Sequence, residues 1–348
     1  MVIKDIKAFY PKWKNVGKGK WQSHFWQIVV KIKTDNGLIG YGYGGGGEPS
    51  VIIINKHFKE ILIGKKLNSI EDIKKIWDEL YLKSLPYGRH GITIMAISGI
   101  DLSLWDLLSK SYKKPVYELI GTVKKNKIKA YATGHDVTSY MTEGFSDFKL
   151  PHRWDDEKSY DMLIKKCEDI RSNIGYKGKL MIDSYMSWNS EICQNMDELL
   201  KDFKIEWFED INTPDDLEEL YELRKIIKTK IAGGEHDMLL KNFIEISKYK
   251  SLDIWQPDIT WCGGITIGLK IIQLAKENNI QVVLHRGGEV WGLHLIKSSD
   301  CDNFAEIVKI NEEENNSLWI NTPKFDDGIV YLNDNPGFGV ELNEEFIN

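Results

Sequence analysis

Residues 204–237 read KIEWFEDINTPDDLEELYELRKIIKTKIAGGEHD. A short apolar run, KIEWFED, comes first; an amphipathic stretch, DDLEELYELRKIIK, follows, and then a second short run, KIAGGEH. Runs of that length bounded by polar and glycine residues read as buried strands, and the stretch between them reads as a helix. The same texture holds from about residue 127 onward. KIKAYATG, DFKLP, KLMIDSYM, LDIWQPDI, QVVLH and NFAEIV bring the strand candidates to eight, most of them separated by helical stretches such as GGITIGLKIIQLAKEN. Eight buried strands alternating with helices predict parallel β/α units closed into a TIM-type barrel, an α/β fold.

The residues before the barrel differ in texture. IKDIKAFY, FWQIVVKIKT and LIGYGYG alternate as strands do, and Asp35-Asn36-Gly37 between the last two predicts a hairpin. From about residue 50 the period becomes helical through IIINKHFKEIL, SIEDIKKIWDELY and TIMAISGIDLSLWDLLSK, with Ser69 and Asp72 spaced as a capping box. The expected organisation is an α+β capping domain over 1–118, a barrel over 119–322, and a turn-rich C-terminal segment over 323–348 that packs back on the capping domain. The glycine run GYGYGGGGEPS lacks the GKS/T ending and the βαβ setting of a nucleotide site. It is read as a flexible loop over the barrel mouth, with Tyr43 and Glu48 approaching a ligand.

Composition narrows the classes of function. The 46 Lys and Arg against 52 Asp and Glu give a net charge of -6, which offers no broad basic surface to nucleic acid or an anionic membrane. Four dispersed cysteines without a CxxC pair predict neither a zinc site nor a disulfide framework. MVIKDIKAFYPKWK has no apolar signal core, so a soluble cytoplasmic protein is expected, with small molecules or copies of itself as partners.

In a β/α barrel the C-terminal strand ends converge on one mouth. Six consecutive strand candidates end on Asp183, Glu209, Glu235, Asp258, His285 and Glu306, separated by 26, 26, 23, 27 and 21 residues, about one β/α unit each. A single acid after a strand is commonly a helix N-cap, but six in register form a pattern. Three converging carboxylates repel unless a cation lies between them, and oxygen-only ligation suits Mg²⁺. Asp183, Glu209 and Glu235 therefore read as metal ligands. Asp258 accepting the imidazole N–H of His285 would orient a general base. Glu306 is placed at a substrate carboxylate.

At these residues the sequence resembles the enolase superfamily, within it the mandelate racemase group, and most closely the L-rhamnonate dehydratases. The motifs that carry the resemblance span nearly the whole chain: PYGRHGITIMAISGIDLSLWDLLSK, VYELIG, AYATG, FKLP, MIDSYMSW, IEWFEDINTPDD, GGEHD, IWQPDITWCGG and NPGFGVEL. The resemblance implies a Mg²⁺-dependent acid-sugar dehydratase. Its metal ligands fall on Asp183, Glu209 and Glu235, its dyad on Asp258 and His285, and its strand-eight acid on Glu306. It also implies that His236 faces the substrate, that Lys149 contacts it, and that a histidine of the capping segment, here His24, reaches the sugar chain. A homo-oligomer is implied as well. The chain departs from the pattern in two places that bear on chemistry. Lys149-Leu150-Pro151 replaces a KxK pair, which disfavours a two-base racemase, and HRGGEVWGLHL brings Arg286 and Glu289 to the mouth. Epimerisation, cycloisomerisation and a non-catalytic binding protein are the alternatives.

Overall fold

A computed structural model of the protein describes residues 1–12, 26–308 and 318–346. Strands β1 (Ile3–Phe9), β2 (Ile28–Thr34) and β3 (Ile39–Gly44) form an antiparallel meander. The β2–β3 hairpin turns at Asp35-Asn36-Gly37, where Gly37 takes a φ of 83° that a side chain would disfavour. Helices α1 (Gly47–Ile53), α2 (Lys59–Leu62), α3 (Ile70–Ser84), α4 (Ile92–Ser111) and α5 (Val116–Ile120) follow, with a π-helical segment between the first two. Ser69 caps α3 by accepting from the Asp72 amide at 3.2 Å, but the Asp72 carboxylate reaches back to the Asn68 amide, so the box closes one residue early.

The glycine run is not a loop. Gly40, Gly42 and Gly44 alternate along β3 on the face that lies against α4. A Cβ at Gly42 would stand 2.0 Å from the Gly99 carbonyl oxygen, and one at Gly40 2.4 Å from that of Ser103. Strand and helix backbones touch here, which only glycine permits. Gly45 then lies against the Trp261 indole of the barrel. Helix α4 is largely apolar and by length and composition could cross a membrane, but nearly all its side chains, the Asp101 and Asp106 carboxylates included, are buried in this molecule.

The eight predicted barrel strands are β4 (Ile128–Thr133), β5 (Phe148–Pro151), β6 (Leu180–Asp183), β7 (Ile205–Glu209), β8 (Lys230–Gly233), β9 (Ile254–Trp255), β10 (Gln281–Val282) and β11 (Phe304–Val308). They lie side by side in parallel, in the order β11-β4-β5-β6-β7-β8-β9-β10. The turn of the sheet back on itself is carried by the Asp302 amide, which donates to the Val282 carbonyl at 2.8 Å. Tyr131, Met181, Trp207, Ala232, Ile254, Val283 and Phe304, one from every strand path except β5, make a separate apolar cluster inside the ring. From β5 the side chain beside this cluster is Lys149, which pairs in register with Thr133 and Met181 and is 1% exposed.

Helices α6 (Val137–Thr142), α7 (Lys158–Ile174), α8 (Ser190–Leu199), α9 (Leu217–Ile226), α10 (Leu239–Tyr249), α11 (Gly264–Glu277) and α12 (Val290–Ser298) connect the strands. Capping domain and barrel join where α4 meets α11. The Asp101 carboxylate accepts from the Thr266 amide and hydroxyl at 3.1 and 2.5 Å, satisfying donors at the start of α11. A Cβ at Gly264 would stand 2.2 Å from that carboxylate, which explains the second glycine of WCGG. After the barrel the chain divides its contacts. The hairpin β12 (Lys324–Asp326) and β13 (Ile329–Tyr331) extends the barrel sheet beside β4. The remainder meets the capping domain, through the Phe338 amide on Asp106, the Val116 amide on the Gly337 carbonyl, and Glu344 on Lys31.

Candidate active site

The strand ends place the predicted residues at one mouth, although not all at the last strand position. Asp183 and Glu209 end β6 and β7, Glu235 follows β8 by two residues, Asp258 and His285 follow β9 and β10 by three, and Glu306 is the third residue of β11. Lys149 lies among them. Its ammonium contacts Glu209 Oε1, stands 2.7 Å from Glu306 Oε1 and 3.8 Å from Asp183 Oδ2. A strand-end lysine is ordinarily solvated; this one is held inside by three carboxylates, whose charge more than offsets the cost of burying it and keeps its pKa well above the usual value.

Each carboxylate has a distinct set of partners. Glu209 Oε2 accepts from Trp207 Nε1 at 2.9 Å and from Gln256 Nε2 at 2.7 Å. Asp183 Oδ1 accepts from the Tyr185 amide at 3.0 Å, and Tyr185 and Met186 hold left-handed φ values of 50° and 56° that turn the chain there. Glu306 accepts from the Thr133 hydroxyl and, on Oε2, from the Arg286 amide at 2.8 Å. Burial would raise the Glu306 carboxyl, but Lys149 brings it down to about 2.

Asp258 and His285 form the expected pair, with His285 Nδ1 2.9 Å from Asp258 Oδ2. The other imidazole nitrogen stands 3.3 Å from Glu235 Oε2. Burial would lower the basicity of His285, but Glu235 and then the Asp258 hydrogen bond raise it to about 10. Burial likewise presses Asp258 toward neutrality, while Arg286 and His285 hold it below the usual carboxyl value. Asp258 Oδ1 accepts from both the amide and the hydroxyl of Thr260, each at 2.6 Å.

His236 is about one-third exposed, with Nε2 3.5 Å from both Glu235 Oε1 and Asp210 Oδ2 and its ring stacked beside Trp261. Burial and then the charge of His285 lower its pKa to about 4, so it is a neutral hydrogen-bonding group at pH 7. His24, the predicted capping-domain contact, lies outside the described residues. Arg286 and Glu289 do reach the mouth. The guanidinium pairs with both Glu289 oxygens, stands 3.8 Å from Asp258 Oδ2, and lies within 6 Å of the rings of Trp26, Tyr43 and Trp261. Tyr43, Arg286, Glu289 and Glu306 line a cavity of about 290 Å³ between the barrel and the capping domain.

Although no local pattern in the sequence separates it from its neighbour Glu209, Asp210 joins these residues. Its oxygen, one from Glu235 and a nitrogen of His236 lie within 4.8 Å of one another, a spacing suited to a metal ion. The backbone at Asp210 has a φ of 46°, and Gly233 leaves room for its carboxylate: a Cβ there would stand 3.2 Å from Asp210 Oδ1. Gly234, at φ 118°, makes the turn that brings Glu235 to the mouth. Burial first, and then one another's charge, push Asp183 and Asp210 well above the ordinary carboxyl range, and Glu235 up to about 8 against the pull of His285. Buried Asp183 and Glu209 with half-buried Asp210 and Glu235 are a hard-oxygen donor set that has Lys149 and His285 beside it, and a divalent cation such as Mg²⁺ fits it.

Comparison with known proteins identifies the family. Residues 20–121 match the mandelate racemase / muconate lactonizing enzyme N-terminal domain, and residues 132–346 match the enolase C-terminal domain-like family. A Caldivirga maquilingensis protein provisionally named an L-rhamnonate dehydratase is 31% identical, over 98% of this chain and 87% of the relative. Crystal structures of L-rhamnonate dehydratase from Gibberella zeae, one of them complexed with Mg, are 28% identical and superpose with TM-scores of 0.90 and 0.89, covering 99% of this chain and 94% of theirs. The 3,6-anhydro-D-galactonate cycloisomerase of Zobellia galactanivorans is 27% identical, with a TM-score of 0.87 and 100% of both chains covered. With both of its domains matched along nearly their whole length, this chain belongs to the mandelate racemase / muconate lactonizing enzyme family of enolase-like proteins.

Proposed function

We propose that the protein is a Mg²⁺-dependent acid-sugar dehydratase. The observation that carries the reading is the position of His285, hydrogen-bonded on one nitrogen to Asp258 and facing the carboxylate cluster with the other. Asp183, Glu209 and Glu235 would hold the metal, with Asp210 beside them. When bound, Mg²⁺ supplies positive charge to a substrate carboxylate and so eases loss of the adjacent proton.

The chain's own residues do the rest. Glu235, holding a cation, would give up to it the carboxylate charge that keeps His285 protonated; Asp258 would then fix the tautomer that leaves Nε2 free to take the C2 proton, and the resulting imidazolium would protonate the departing 3-hydroxyl. Loss of that hydroxyl and ketonisation give a 2-keto-3-deoxy acid. Lys149 would meet the substrate carboxylate, with Glu306 accepting from its ammonium at 2.7 Å and so holding it in place, and neutral His236 would present a hydrogen-bonding edge to the hydroxyls. Names of relatives support an acid-sugar substrate of the L-rhamnonate type, and the cycloisomerase relative identifies the reaction that product analysis must separate from dehydration.

The test is a panel of mono- and diacid sugars incubated with protein and Mg²⁺, with 2-keto acid read as its semicarbazone. At least one acid should be dehydrated, and His285→Asn should lower its turnover about 10²- to 10⁴-fold. A product that keeps the substrate's formula, or a His285→Asn variant as active as the parent, would exclude this mechanism.

A further inference from the structure

Asp258 is held on Oδ1 by Thr260, and Thr260 is held in turn by a residue of the capping domain. Gln27 directly precedes β2, is 1% exposed, and donates from Nε2 to the Thr260 hydroxyl at 2.9 Å. Its Oε1 accepts from Trp261 Nε1 at 2.8 Å. The direction of every bond in this chain is set by its end. An indole N–H can only donate, so the Gln27 oxygen must face Trp261 and its NH₂ must face Thr260. The Thr260 oxygen therefore accepts from Gln27 and gives its own proton to Asp258 Oδ1, leaving Oδ2 for His285 Nδ1.

The same amide also fixes the indole. The Trp261 ring lies 5.5 Å from the ring of His285 and 6.2 Å from that of His236, so it packs beside both imidazoles at the mouth. Gly45, also of the capping domain, presses on the indole edge, where a Cβ would stand 2.6 Å from Nε1. Two separate capping-domain contacts thus converge on the 258–261 loop.

We infer that Gln27 is a positioning residue through which the capping domain sets the Asp258–His285 pair. The barrel supplies the acid and the base, while the rotation of the carboxylate between them is fixed from the other domain. Cofactor-free contacts carry the inference; its kinetic consequence rests on the function proposed above.

Two readouts test it, one of them independent of turnover. In ¹⁵N-histidine-labelled protein the His285 Nδ1–H resonance, assigned by its loss in His285→Asn, should move in Gln27→Leu and Thr260→Val and stay in place in Thr260→Ser, which keeps the hydroxyl. On the best acid sugar, the first two variants should lower kcat by roughly tenfold, the usual scale for an outer-shell partner. KM should hold within a factor of two, and the isotope effect on kcat with C2-deuterated substrate should rise. An unmoved resonance in Gln27→Leu overturns the inference, whatever Thr260→Val does, as does Thr260→Ser behaving like Thr260→Val. If Gln27→Leu does not fold, Gln27→Met, which also lacks the amide, is read in its place. A parent protein that shows the resonance behaviour but turns over no acid sugar refutes the proposed function and leaves the positioning role standing.

Discussion

Lys149 shows how one residue can be chosen from sequence while its situation stays hidden. Its place before a proline at a strand end was legible; that Glu209, Glu306 and Asp183 enclose it was not, because those partners come from strands 34 to 157 residues away. The acids after short apolar runs were readable for the opposite reason: a carboxylate ending a buried strand interrupts a local pattern. Asp210 escaped because it stands beside Glu209, and only its left-handed backbone and the missing side chain at Gly233 bring it back to the mouth. For Lys149→Met the expected result follows from charge. Removing the ammonium leaves buried carboxylates facing one another, which costs roughly 3–5 kcal/mol. Mg²⁺ should restore part of that loss by replacing the missing charge. Urea unfolding with and without Mg²⁺ measures both effects, and a variant as stable as the parent in the absence of metal would contradict the packing described.

At the scale of elements, the hairpin and all eight barrel strands followed from period and turn residues, which act over a few positions. The glycine run did not, because glycine marks both loops and close backbone approach. The alternation in GYGYG was the available signal: every second residue lacking a side chain is the period of a strand with one face pressed flat. Tyr41 and Tyr43 occupy the other face and pack against Trp319. Gly42→Ala should therefore destabilise the protein by about 3 kcal/mol, the upper end of the range for overpacking, since the new Cβ would meet a helix carbonyl and not a movable side chain. The urea midpoint reads this directly. A loss under about 0.5 kcal/mol, the range of an ordinary surface change, would mean that β3 and α4 separate easily.

Over the whole molecule, barrel, capping domain and tail meet at His294, a fully buried residue of α12. Its Nδ1 accepts from the Tyr117 amide of α5 at 3.0 Å, so the proton is on Nε2, which points to the Phe338 carbonyl of the tail at 3.3 Å. The Tyr117 and Phe338 rings pack on the imidazole. Burial lowers its pKa to about 3; the hydrogen bond to the Phe338 carbonyl opposes this, and the charge of Lys297 adds a lesser push in the same direction as burial. In the unfolded chain the same imidazole titrates near its ordinary value of about 6.5. Protons therefore bind the unfolded state first, and the stability associated with neutral His294 is complete above pH 6.5 and drains away as pH falls toward 3. At one proton the slope is about 1.4 kcal/mol per pH unit, or roughly 2 kcal/mol between pH 6.5 and 5, before most carboxylates titrate. His294→Gln keeps an acceptor and a donor but cannot titrate, so its urea midpoint should depend on pH about one proton less steeply than the parent's in that window. Equal slopes would show that the junction of the three parts admits water, and that His294 titrates as freely folded as unfolded.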